Sequence, residues 1–97
     1  MLKEQVTPRL PSPLPKDRRQ ACAAMLARAD ELYREIDPDS ESRERTLASL
    51  QATRASDLAA CERETSVRAA ACVAVRLGDR DAELPWLIDQ CERAFPD

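Results

Sequence analysis

Ninety-seven residues are enough for one domain and too few for two. Fifteen basic residues against 18 acidic give a net charge of −3, so no positive field draws nucleic acid or anionic lipid. No run approaches the ~18 apolar residues that cross a bilayer, and a histidine count of 0 removes the commonest general base, metal ligand and pH switch.

Alanine and arginine dominate, lysine is confined to Lys3 and Lys16, and asparagine does not occur, a usage that reads as a GC-rich bacterial coding sequence. Met1-Leu2-Lys3-Glu4-Gln5-Val6 lacks the apolar region of a secretory signal. Residues 1–16 carry Pro8, Pro11, Pro13 and Pro15, each of which fixes φ and removes a backbone donor. This stretch is expected as an extended, polyproline-like arm or linker ahead of a helical domain at 17–97. Pro8-Arg9-Leu10-Pro11 matches PxxP, but one match in a proline-rich spacer has little specificity, and it is read as part of a tether.

From Asp17 the period turns helical. Cys22, Met25, Leu26, Ala29, Leu32, Tyr33 and Ile36 recur at helical spacing and predict a first helix with one apolar stripe. The break falls at Asp37-Pro38-Asp39-Ser40, where Asp37 suits an N-cap and Pro38 a first helical position. A second helix follows to about Cys61, with Leu47, Leu50, Leu58 and Cys61 on one stripe. Ala48, Ala52, Ala55 and Ala59 form a neighbouring stripe that permits close helix approach.

Thr65 or Ser66 caps a third helix holding Val67, Ala70, Ala71, Ala74 and Leu77, unless the second helix runs on through 62–66. Gly78, the single glycine, is read as its C′ residue. A fourth helix opens near Asp81 or Leu84, with Pro85 in its first turn and Leu84, Leu87, Ile88, Cys91 and Phe95 on its stripe. With no alternating strand pattern and no repeat, the expected fold is all-α: a small antiparallel three- to four-helix bundle with an extended N-terminal arm.

Cys22, Cys61, Cys72 and Cys91 contain no CxxC pair, which argues against structural zinc. An even count in a small domain predicts two disulfides and an oxidising compartment; buried thiols and a reactive thiol are the alternatives. Heights along the bundle, at ~1.5 Å per residue, put Cys22 and Cys72 at roughly 21 and 24 Å and Cys61 and Cys91 at roughly 31 and 30 Å. The expected pairs are therefore Cys22–Cys72 and Cys61–Cys91, since the other connectivities leave offsets of about 6 to 10 Å. Against this, Cys72 points away from the apolar stripe of its own helix.

Arg68 and Arg76 flank Cys72 at i−4 and i+4, an arrangement that lowers a thiol pKa and makes Cys72 the reactive-thiol candidate. Arg54 interrupts a leucine stripe, where it either binds an anionic group or pairs with an acid. Trp86 lies opposite its helix's stripe, close to Arg93; it is either an interface anchor or covered by the proline arm, and the arm is preferred. Trp86, Arg93 and Arg54 are the partner-binding candidates. Glu31, Glu35, Asp57, Glu62 and Glu64, interleaved with arginine, read as solvated helix surface, and no Gly-rich phosphate loop, HExxH or GxSxG occurs.

These features together predict a non-enzymatic, disulfide-stapled helical module, without cofactor or metal, exported to the periplasm or cell exterior and binding another protein. A cytoplasmic thiol-based redox sensor or small regulator is one alternative. A structural small subunit of a larger assembly is the other.

Overall fold

A computed structural model describes residues 1–36, 39–80 and 82–97. Asp37, Pro38 and Asp81, and the side chain of Ile36, lie outside the described residues, and with them the expected Asp37 cap and Pro38 first position. The described chain forms five α-helices and no strand: α1 (Leu2–Val6), α2 (Arg18–Ile36), α3 (Ser40–Glu64), α4 (Val67–Leu77) and α5 (Leu84–Ala94). One 3-10 turn, Thr7–Arg9, follows α1.

Short polar side chains set the helix starts. Asp17 Oδ1 accepts the Gln20 N–H at 2.8 Å ahead of α2, and Asp39 Oδ1 accepts the Glu41 N–H at 3.1 Å ahead of α3. Ser66 Oγ accepts the Ala69 N–H at 3.1 Å to cap α4, and its hydroxyl donates to the Phe95 carbonyl at 2.6 Å, tying α4 to the end of α5. Pro85 falls in the first turn of α5, where a backbone donor is not needed.

Two hairpins, α2–α3 and α4–α5, pack through α2 against α4. Ala69, Ala70, Cys72 and Val73 of α4 are fully buried, because α4 lies between α2 and α5 and is covered on two faces. That double covering is why Cys72, off the expected stripe, is in the core. In α3 the pattern is different: Leu47, Leu50 and Leu58 are half-buried and Cys61 alone is buried. The stripe of Ala48, Ala52, Ala55 and Ala59 faces solvent, since α3 packs on α2 alone by any extensive contact.

The disulfides join Cys22 to Cys61 and Cys72 to Cys91, which corrects the expected pairing. Cys22 faces Cys61 with Cα atoms 5.9 Å apart, and two turns on Asp30 accepts from Arg54. Extending this antiparallel register sets the end of α2 beside Leu47 or Ala48, so α3 starts about seven residues, or roughly 11 Å, beyond it. This overhang accounts for the offset of about 10 Å by which a level start rejects the Cys22–Cys61 pair. In the second hairpin Cys72 and Cys91 lie within ~3 Å of the same height.

The N-terminal segment is also corrected. Instead of an extended arm, α1 and the 3-10 turn dock on the bundle, with Val6 only 2% exposed in the core. Arg9 donates to both Asp79 carboxylate oxygens at 2.8 and 2.9 Å, fastening the segment to the end of α4. Extended backbone appears at Leu10 (φ −65°, ψ 146°), and Pro11 and Pro15 line an open depression together with Ala24 of α2 and Ala71 of α4. Gly78 closes α4 in right-handed geometry (φ −63°); the left-handed residue of this turn is Arg80 (φ 57°), held by Glu35 at 2.6 Å.

An apolar groove between α3 and α5

α3 packs on α2 and α5 packs on α4, neither packs extensively on the other, and the gap between them is the candidate site. Its inner part, about 250 Å³, has Leu26 and Ala29 of α2 as floor, Leu50 and Arg54 of α3 as one wall, and Leu84 and Ile88 of α5 as the other. An outer part of about 570 Å³ continues from Ala29 and Leu84 over Leu32, Tyr33 and Leu77 to Pro85. The Thr65 hydroxyl donates to Glu92 Oε1 at 2.8 Å and closes the inner end where α3 turns into α4.

Local sequence explains why these walls stay open. Leu87, Cys91 and Phe95 turn inward on α5 and are buried, whereas Leu84 and Ile88, on the adjoining edge of the same stripe, are half-exposed. Across the gap, Leu50 of α3 is in the same state. One stripe thus serves two surfaces.

The charges in and around the groove do not cancel. Arg54 Nη2 lies 2.6 and 2.7 Å from the two Asp30 oxygens, in a pair whose side chains are 26% and 13% exposed, and Arg80 is matched by Glu35. Asp57, Glu64 and Glu92 also line the inner part, and none has a cationic partner among the described residues. Asp57 accepts from the Thr53 hydroxyl at 2.9 Å and Glu92 from Thr65. The inner groove therefore carries net negative charge. Arg54 Nε is the buried side-chain polar atom without a hydrogen bond among the described residues, a local cost carried by the groove wall.

The partner-binding candidates divide. Arg54 lines the groove as a paired residue. Trp86 and Arg93 share a separate shallow depression with Met1, Leu2 and Lys3. Trp86 is 51% exposed, and the Arg76 guanidinium lies 5.7 Å from its ring centroid while donating to Gln90 Oε1 at 2.8 Å. The expected proline cover is thus corrected: the N-terminal residues beside Trp86 are Met1, Leu2 and Lys3, and Pro11 and Pro15 lie elsewhere. Arg93 pairs along its own helix with Asp89 at 3.2 Å.

All four cysteines are disulfide-bonded and Cys72 is fully buried, which removes it as a reactive thiol. Two disulfides fit an oxidising compartment. Among the described residues no group of three or more His, Cys, Asp or Glu is placed to hold a metal, and no helix is long and apolar enough to cross a membrane.

Sequence reasoning singled out Arg54 and missed the other groove residues. Leu50, Leu84 and Ile88 carry the signature of core positions, and Asp57 and Glu64 that of solvated surface; their convergence is a tertiary fact. Comparison with protein-family models, curated proteins and solved structures finds no match to this chain.

Proposed function

We propose that this protein is a non-enzymatic helical adaptor, exported to an oxidising compartment, that accepts an amphipathic helix of another protein in the groove between α3 and α5. The observation that carries this reading is the pair of facing apolar walls, half-exposed Leu50 on α3 and Leu84 and Ile88 on α5, over a floor of Leu26, Ala29 and Leu32. A helix is the occupant that fits. Its backbone groups are satisfied internally, and a trough of helices offers no sheet edge to an extended strand. A helix seated there packs between α3 and α5 over the floor that α2 supplies.

The two parts of the groove together fall in the 300–1,000 Å³ range of ligand sites, room for a few large apolar side chains. Export is supported by the two disulfides, which persist outside the reducing cytosol. The test is a titration of isotope-labelled, oxidised protein with an 18-residue helical peptide bearing leucines at i, i+3, i+4 and i+7. Amide shifts should centre on Leu26, Leu50, Leu84 and Ile88, and Leu84→Asp should abolish them. Shifts clustered around Trp86 instead would move the binding face to the opposite patch.

A further inference from the structure

We infer that the helix taken into the groove is basic, with lysine or arginine beside its apolar face at the end that meets Asp57, Glu64 and Glu92; this rests on the groove being a helix-binding site. The cations that line the groove are already matched within the fold: Asp30 takes both bonds from Arg54, and Glu35 takes Arg80. Asp57, Glu64 and Glu92 have no such match among the described residues, and they come from two walls and the closed end to surround one volume. Two of the three do accept a hydroxyl hydrogen bond, from Thr53 and Thr65, which orients those carboxylates without neutralising them.

An apolar helix with neutral flanks leaves these carboxylates partly desolvated and unpaired when it seats, a costly arrangement. An acidic helix adds like-charge repulsion, and a basic one turns the same groups into charge-assisted hydrogen bonds. The rim therefore selects by sign as well as by shape. Specificity of this kind comes as much from rejecting the wrong helix as from holding the right one.

The experiment uses the oxidised full chain and three fluorescein-labelled 18-residue helical peptides with one leucine face, differing only in flanks of Lys/Arg, Gln or Glu. At ~50 mM salt the basic peptide should bind at least tenfold more tightly than the acidic one, with the neutral peptide between, and ~1 M salt should compress the series. Asp57→Lys with Glu64→Lys, both at exposed positions, should reverse the order. Equal affinity of all three peptides in the groove would refute the charge inference and leave the groove reading standing. An order unchanged by the double charge reversal would also refute it, because charges elsewhere than Asp57 and Glu64 would then set the order. Failure of every peptide to shift the groove amides would remove both readings.

Discussion

Replacing Cys22 and Cys61 together by alanine should release α3 from a core that otherwise remains folded. With sequence separations of 39 and 19 residues, the chain-entropy contributions of the Cys22–Cys61 and Cys72–Cys91 bonds come to about 4 and about 3 kcal/mol. Each is a large share of the stability of about 5–15 kcal/mol expected for a domain of this size. The global costs are similar, but the local consequences differ.

Of the 25 residues of α3, Cys61 is the one that is buried. Without the bond, attachment falls to the Arg54–Asp30 pair, the exposed contacts of Arg18 and Arg19 with Glu62 and Arg63, and the half-burial of Leu47, Leu50 and Leu58, roughly 1 kcal/mol for each leucine. Holding a helix of this length in place costs more conformational entropy than that. Cys72–Cys91 joins α4 and α5 beside Val73 and Leu87, both fully buried, so its loss weakens the core as a unit. Hydrogen exchange read by mass spectrometry separates the cases. In Cys22→Ala/Cys61→Ala, amides of residues 40–60 should open locally and lose more protection than α4, whose loss is bounded by the ~10³-fold that corresponds to about 4 kcal/mol of global stability. In Cys72→Ala/Cys91→Ala all helices should lose protection together. Equal loss of protection in α3 and α4 of the first variant would refute the argument.

Three further outcomes are expected. Val6→Ala should lower stability by about 2 kcal/mol in denaturant melts, two buried methyl-sized groups plus a small cavity, whereas a mere tether would show no change. Gly78→Ala should raise stability by about 0.4–1 kcal/mol, seen as a higher Tm, because Gly78 already has right-handed geometry and an added Cβ meets only Val75 O at 3.4 Å and Arg28 Nη2 at 3.6 Å. The hydrogen bond from Arg9 holds the Asp79 carboxyl below its ordinary value of 3.8, so the clasp contributes fully above that pH and is lost as the pH falls through the lowered value. NMR shifts of Thr7 to Leu10 should record that loosening in acid, and Asp79→Asn should flatten the profile.

The helices α2, α4 and α5 were legible because each carries a 3.6-residue apolar period bounded by recognisable caps or proline. α1 was not. Five residues lie well below the length at which helix propensity is informative, and α1 stands on the tertiary burial of Val6 while four nearby prolines dominate the local pattern. Arg54 announced itself as a charge within a leucine stripe, but its partner Asp30 lies on another helix, 24 positions away. Pairing of the cysteines depends on the stagger between α2 and α3, which helix counting cannot supply. Whether a stripe is covered on one flank or both is likewise decided by neighbouring helices, so Leu84 and Ile88 look the same in sequence as Leu87 and Cys91.

Each cysteine is bonded to the next one along the chain, so the two covalent loops, 22–61 and 72–91, follow one another without overlapping. A chain delivered N-terminus first into an oxidising space therefore offers only correct choices in order. When Cys61 arrives, Cys22 is the one thiol waiting for it, and once they have joined, Cys72 has no partner until Cys91 appears. Nested or crossed loops would require an early cysteine to stay reduced past a nearer competitor. Consecutive pairing lets the order of emergence select the native bonds, with no wrong disulfide to undo.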